Sequence, residues 1–365
     1  MSDYLTTQII TYMGNKRKLL NKIREIIIEL EQKEGRKLTI GDGFSGSGIV
    51  SRLFKQHAQE LYTNDISDYS ETLNHCYLSN ISTADMSNIE KYIDVANKHA
   101  DNKTNKYNIP FISGNWAPAG VITREDRVYF TQENGERIDI IRNYIDTLPE
   151  RYKKILLALL LVEVSIHNNT NGQFAAFYKD GDIGHYGGKK NIDVKRITQP
   201  ITLKFPVYNN NDCKININKM DTNEWVKQLP ELDLVYYDPP YNKHPYCIYY
   251  FLLNIVNNWN VNEDIPDSYR GQPLNWEKSQ YNSSINAEKT FEELIKNTKS
   301  KYILLSYNSG GIISIDNVNK ILEKYGDVNI IPVVHKTYNR LKGISNYKCK
   351  TEKSPIKEYF WLLSR

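Results

Sequence analysis

Leu38-Thr39-Ile40-Gly41-Asp42-Gly43-Phe44-Ser45-Gly46-Ser47-Gly48-Ile49 is the stretch that decides the fold. A short apolar strand runs into a turn of small residues, and a helix begins near Ile49; strand, glycine turn, helix is the opening of a doubly wound α/β sheet. Small residues let the backbone come close to a ligand at the mouth of such a sheet. A dinucleotide site would want GxGxxG with a pyrophosphate on the helix terminus. This turn starts acidic and offers no phosphate-binding lysine, which favours a ligand without phosphate, such as S-adenosylmethionine. Asp42, Phe44, Gly46 and Gly48 are its candidate contacts. A tight strand-to-helix turn with no ligand is the plainer alternative.

The next predicted strand, Glu60 to Thr63, ends at Asn64-Asp65. A carboxylate there can accept both hydroxyls of a ribose; Asp65 could also serve as a turn or helix cap. Much further along, Leu234-Val235-Tyr236-Tyr237-Asp238-Pro239-Pro240-Tyr241 sets an acid, two prolines and an aromatic directly after a continuous apolar strand. Such a strand fits a sheet covered on both faces, and the prolines stop it and fix the backbone. An exocyclic amine conjugated into a purine is a poor nucleophile. A catalyst must hold its hydrogens while the lone pair faces the methyl donor, and Asp238 and the Pro239 carbonyl can accept those two hydrogens. The Tyr241 ring can stack on the base, which has to leave the duplex to reach such a pocket. Asp238, Pro239, Pro240 and Tyr241 are therefore the candidate catalytic residues.

Asp238-Pro239-Pro240-Tyr241, the glycine turn and the opening Tyr12-Met13-Gly14-Asn15-Lys16 together resemble the D12-class (Dam-like) DNA adenine-N6 methyltransferases. The resemblance spans both ends of the chain. It implies Tyr12 and Lys16 as cofactor contacts, the lysine near the methionine carboxylate, Asp65 on the ribose, and Asp238 touching both cofactor and target base. Lys219-Met220-Asp221 resembles the family element whose acid approaches the cofactor's adenine ring, although Asp221 could equally cap a helix beginning near Glu224. His167 to Phe174 resembles the stretch leading into the family's DNA-recognition hairpin. Asn168, Tyr178, Lys179, Lys189, Lys190, Lys195 and Arg196 are then placed to touch DNA. Asn15 departs from the family, which commonly has Gly or Ser there, and the middle of the chain is longer than in Dam proteins. That enlargement suggests a modification enzyme with a cognate restriction endonuclease.

The expected architecture is a Rossmann-like S-adenosylmethionine-dependent methyltransferase sheet of seven-stranded type, built from residues 1–75 and 201–365. A mainly helical DNA-recognition lobe is inserted at 76–200, with a hairpin near 168–196. Further sheet-like runs are Tyr302 to Ser306, Asn329 to Val334 and Tyr359 to Leu363, while Leu19 to Leu30 has amphipathic helical periodicity. Most of Ile81 to Glu163 reads as helix, broken by a loop at Ser113 to Pro118.

Composition bounds the rest. The chain has 365 residues, 40% hydrophobic, with 27 tyrosines against 10 phenylalanines, which favours rings with a polar handle. The net charge of +4 does not by itself mark a nucleic-acid binder, but His335 to Arg365 carries eight Lys or Arg against two Glu. Arg340 and Lys342 in that tail are candidate phosphate contacts for double-stranded DNA. Four cysteines (Cys76, Cys213, Cys247, Cys349) lie far apart without CxxC pairing, so neither a zinc site nor a disulfide framework is suggested, and no cluster calls for a metal. The start lacks a signal peptide, and the apolar run Ile155 to Val162 is too short to span a membrane. A cytoplasmic monomer, not attached to membrane, is expected. A cytosine-C5 mechanism needs a Pro-Cys nucleophile, and no cysteine here follows a proline. Cytosine-N4, RNA or protein amine methylation, and a retired DNA-binding relative, stay open as alternatives.

Overall fold

Among the described residues nine strands can be assigned: β1 (Leu38–Asp42), β2 (Ala58–Asp65), β3 (Lys179–Asp180), β4 (Ile183–Gly184), β5 (Lys214–Lys219), β6 (Leu232–Tyr237), β7 (Ser300–Asn308), β8 (Asp327–Val333) and β9 (Glu358–Ser364). The computed structural model describes residues 2–188, 191–274, 279–333 and 357–365. Seven strands form one sheet in the order β5-β2-β1-β6-β7-β9-β8. The pairs β2–β5, β1–β6 and β6–β7 are parallel, and β9 runs antiparallel to both its neighbours. This is the largely parallel, Rossmann-like sheet expected from the strand and glycine-turn pattern.

Two compact units divide the chain. One comprises Leu38–Phe44, Met220–Pro245 and Lys278–Arg365. Its centre is β6, buried at every position, which is why Leu232 to Tyr237 carries no polar alternation beyond Asp233. Asp233 is accounted for by Thr39, whose backbone N–H and hydroxyl both donate to its Oδ2 at 2.7 and 2.9 Å. The edge strand β8 is half exposed and holds Pro332 opposite Tyr359, the kind of position where a strand tolerates proline.

The other unit comprises Met1–Lys37, Ser45–Lys219 and Tyr246–Glu277. Its core is helical. Helix Glu150–His167 is apolar around its whole circumference from Ile155 to Leu161, and those residues are buried, so it forms the middle of the bundle with helices Thr83–Asp101 and Gln132–Ile145 packed on it. Of the loop expected at Ser113 to Pro118, the first three residues fall in a single turn Ile112–Asn115 and 116–118 are irregular. Buried Asp139 stabilises that turn by accepting the N–H groups of Phe111, Ile112 and Ser113 at 3.2, 2.7 and 3.0 Å. In the same unit β3 and β4 make a small antiparallel hairpin turned at Gly181-Asp182, with Gly181 at φ +58°.

Cys76, Cys213 and Cys247 are not joined in disulfides, and Cys349 lies outside the described residues. No helix among the described residues is long and apolar enough to cross a membrane.

Candidate active site

Pairing of β1 with β6 sets Asp42 opposite Tyr236, so the glycine turn and the tetrapeptide leave neighbouring parallel strands at the same, carboxyl-terminal end. In the strand order, β2 and β5 lie on one side of β1 and β6 and β7 on the other, which makes the β1–β6 boundary the switch point where open α/β sheets bind ligands. Asp42 is fully buried and Asp238 half-buried. Both charges bear on the Tyr236 phenol, whose pKa is pushed well up, first by burial and then by Asp238 and Asp42.

The turn is fastened from both directions. Gly43 N–H donates to the Tyr236 carbonyl at 3.0 Å, and its own carbonyl accepts the Thr222 hydroxyl at 2.9 Å. A Cβ on Gly43 would lie 2.7 Å from the Tyr237 ring, so nothing larger than glycine fits. Phe44 meets Tyr237 and Tyr281 edge-on, at centroid distances of 6.2 and 5.3 Å. Those two phenols are themselves tied, Tyr237 to the Thr298 hydroxyl and Tyr281 to Asn223 Oδ1, each at 2.8 Å. Asp221 caps helix Thr222–Gln228, its Oδ1 accepting the N–H groups of Asn223 and Glu224 at 2.8 and 3.3 Å. Past the tetrapeptide, the Tyr241 carbonyl accepts Ile312 N–H at 3.2 Å and the ring stands edge-on to Tyr307. Neither Thr222, Tyr281 nor Tyr307 is marked by the sequence, because a lone threonine and buried tyrosines look like ordinary core.

Ser45 to Gly48, Asp65 and the opening segment belong to the other unit. Asp65 closes the turn onto the end of β2: its Oδ2 accepts Gly46 N–H at 2.8 Å and its Oδ1 accepts Ser67 N–H at 2.9 Å. Burial raises its carboxyl above the ordinary range, and those backbone donors pull the other way. The Gly46 carbonyl accepts Ser70 Oγ at 2.6 Å, and Asn74 Nδ2 donates to Ser45 Oγ at 2.8 Å. Gly46 and Gly48 take φ of +52° and +73°, conformations that glycine adopts without strain. Tyr12 lies flat in a stack, 5.0 Å from Tyr250 and 5.3 Å from Tyr246. Lys16 is almost fully buried with its Nζ donating to the Gly14 carbonyl at 3.1 Å.

Several residues expected to meet DNA have internal partners. Asn168 is 1% exposed; its Nδ2 donates to the carbonyls of Val164 and Ser165, and its Oδ1 accepts Thr170 Oγ1. The Arg196 guanidinium folds back on the carbonyls of Ile166, Asn168 and Thr170, and Tyr178 donates to Asp193 at 2.7 Å. Asn168 and Arg196 thus hold the Asn168–Gly172 bend in shape. Lys179, on the hairpin, sits 3.6 Å over the ring of Tyr269. Lys195 lies in the short helix Val194–Thr198. Lys189, Lys190, Arg340 and Lys342 fall outside the described residues.

Comparison with known proteins gives the family. The family model for D12 class N6 adenine-specific DNA methyltransferases matches residues 12–321. The chain is similar to Type II methyltransferase M.NlaIII of Neisseria lactamica, 26% identical over 360 residues, covering 97% of this chain and 99% of that protein. It is 27% identical over 369 residues to M.FokI of Planomicrobium okeanokoites, covering 97% of this chain and 52% of that one. M.CviAII of Paramecium bursaria Chlorella virus 1 is 26% identical over 343 residues, covering 92% of this chain and 95% of its own length. The chain therefore spans nearly all of M.NlaIII and about half of M.FokI.

Proposed function

The chain belongs to the D12 class of N6 adenine-specific DNA methyltransferases, and from that membership we propose how its residues divide the work. It is an enzyme, a DNA adenine methyltransferase whose relatives are Type II modification methyltransferases. The methyl donor assigned to it is S-adenosylmethionine. The residues fit that group: Asp42, Asp65 and Asp221 are acids that would repel a phosphate and accept from hydroxyl or amine donors, and Gly43 and Gly46 lie where a side chain would fill the turn. Tyr12, Lys16, Phe44, Gly48 and Asp238 complete the proposed contacts.

When bound, S-adenosylmethionine supplies an electrophilic methyl group on a sulfonium centre. The protein's part is to orient and hold. The Asp238 carboxylate and the Pro239 carbonyl accept the two hydrogens of the adenine N6 amine, which keeps the nitrogen lone pair free to face the donor, and Pro240 fixes the backbone that presents them. Tyr241 stacks on a base flipped out of the duplex and offsets part of the unstacking cost. Tyr178, Lys179 and Lys195, with Lys189, Lys190, Arg340 and Lys342, are proposed to face DNA. The recognition lobe is placed at 76–200 between catalytic segments 1–75 and 201–365. A monomer working beside a cognate endonuclease is the proposed setting.

The observation that carries this reading is the register of Asp42 with Tyr236, which brings the glycine turn and Asp238 to the same end of two adjacent strands. Its test is to incubate the chain with double-stranded DNA and methyl-labelled S-adenosylmethionine, then digest the DNA and identify the labelled nucleoside. Label in N6-methyladenine is expected. Label confined to N4-methylcytosine, or none in DNA while RNA or protein is labelled, would reject the assignment of base or substrate.

A further inference from the structure

Tyr12 reaches Gly46 because of a helix that no family motif marks. Helix Tyr246–Asn258 begins five residues after Tyr241 and is broken at Tyr250, where φ −129° and ψ 18° leave the helical region. At that break the Tyr250 hydroxyl accepts Met13 N–H at 2.7 Å, and the Tyr246 hydroxyl donates to the Met13 carbonyl at 3.3 Å. Both rings also stack on Tyr12, with interplanar angles of 17° and 26°. Two phenols from one helix thus grip both backbone polar groups of one residue and the ring of the residue before it.

The far face of Tyr12 is the glycine turn: a Cβ on Gly46 would lie 2.6 Å from its Cε1. One and two turns further along the same helix, Asn254 Oδ1 accepts Tyr69 N–H at 3.3 Å, and Asn258 Nδ2 donates to Asp68 Oδ2 at 3.1 Å. Those residues begin helix Asp68–Tyr77, immediately after the Ser67 N–H held by Asp65. Hence the opening segment, proposed to line the cofactor, and the start of the helix that follows Asp65 are held by one helix. A ring packed only to fill core would not need hydroxyls aimed at a single backbone residue or a broken helix to deliver them.

We propose that Tyr250, assisted by Tyr246, is a positioning residue for cofactor binding that acts through Tyr12, making the helix after the catalytic tetrapeptide the template for the methyl-donor pocket. This rests on the reading of Tyr12 as a cofactor contact. Tyr250→Phe keeps the stacked ring and deletes the one hydroxyl, and a single net hydrogen bond corresponds to about a three- to tenfold change in affinity.

The test is calorimetric binding of S-adenosylmethionine to the full chain, as wild type, Tyr250→Phe, Tyr246→Phe, Tyr12→Leu and Tyr12→Leu/Tyr250→Phe, with kcat and KM on DNA measured in parallel. Tyr250→Phe is expected to raise the dissociation constant about three- to tenfold, with the loss carried by KM for the cofactor and not by kcat. Tyr246→Phe should shift it in the same direction by less, and it serves in place of Tyr250→Phe if that variant does not fold. In the Tyr12→Leu background, Tyr250→Phe should add nothing. Unchanged affinity in Tyr250→Phe alongside a weakened Tyr12→Leu would overturn the positioning role alone, as would the same fold-loss added on top of Tyr12→Leu. Wild-type affinity in Tyr12→Leu would instead remove Tyr12 from the cofactor contacts, and the positioning role with it.

Discussion

Gly46 is wedged between a carboxylate and an aromatic stack, with its N–H on Asp65 and its Cα against Tyr12. Tyr12 cannot swing aside, because Tyr246 and Tyr250 lie against it. Gly46→Ala should therefore destabilise the fold by about 1–3 kcal/mol, the scale for a non-glycine residue forced to positive φ, and weaken cofactor binding as well. Chemical denaturation checks the first effect and calorimetry the second; a variant as stable as wild type would mean that the close approach is not maintained. Thr222→Val keeps the shape of the side chain and removes the hydroxyl that donates to the Gly43 carbonyl. A loss of about 0.5–1.5 kcal/mol is expected by denaturation, and no loss would show that water replaces that hydroxyl without cost. Asp65 and Gly46 are legible in the sequence because chemistry restricts the residue types that can serve there. Asn168 and Arg196 are misleading for a related reason: polar groups suggest surface, but enough carbonyls lie within reach to satisfy them in the interior.

Elements differ in how openly the sequence declares them. β6 and β7 are long apolar runs buried on both faces, β1 is punctuated by glycines, and proline ends β6, so all three are readable from residue pattern alone. β3 and β4 have only two residues each and no alternation to detect, so the hairpin expected near 168–196, which they form, rests on the turn residues and the family resemblance and not on strand pattern. Tyr246 and Tyr250 are invisible for another reason, since tyrosine in an apolar helix reads as core and nothing in the spacing announces a backbone partner at Met13. The turn Ile112–Asn115 was unreadable because its cap, Asp139, comes from a distant helix. That cap has a pH signature. Burial lifts the Asp139 carboxyl to about 6 in the folded chain, against about 4 when unfolded. The folded state thus binds the proton more tightly, so this contribution to stability is fully present below about pH 4 and is lost as pH rises through about 6. Asp139→Asn does not titrate. The stability of wild type relative to this variant should therefore fall between about pH 4 and 6 and then level off. A difference that stays flat across that window would show that Asp139 titrates normally.

At the scale of the whole molecule, electrostatics has to bring an acidic polymer to a protein whose net charge is only +4. Local basic clusters must supply the attraction, and the sequence concentrates them at Lys189-Lys190 and from His335 onward. Replacing Lys189 and Lys190 together with alanine should weaken DNA binding similarly for all sequences and reduce the slope of log K against log salt by roughly two. An unchanged slope would take them out of the phosphate interface. Strand order and chemistry converge on the tetrapeptide: β6 lies beside the glycine-turn strand, and Asp238 is the first residue beyond it. The most direct measurement is single-turnover methyl transfer to DNA adenine by Asp238→Ala beside wild type, with circular dichroism of both to establish that the variant is folded. The account predicts a folded variant whose transfer rate falls by at least about a hundredfold, the scale for removing one group that stabilises the transition state. A folded Asp238→Ala that transfers methyl to N6 at near the wild-type rate would contradict it.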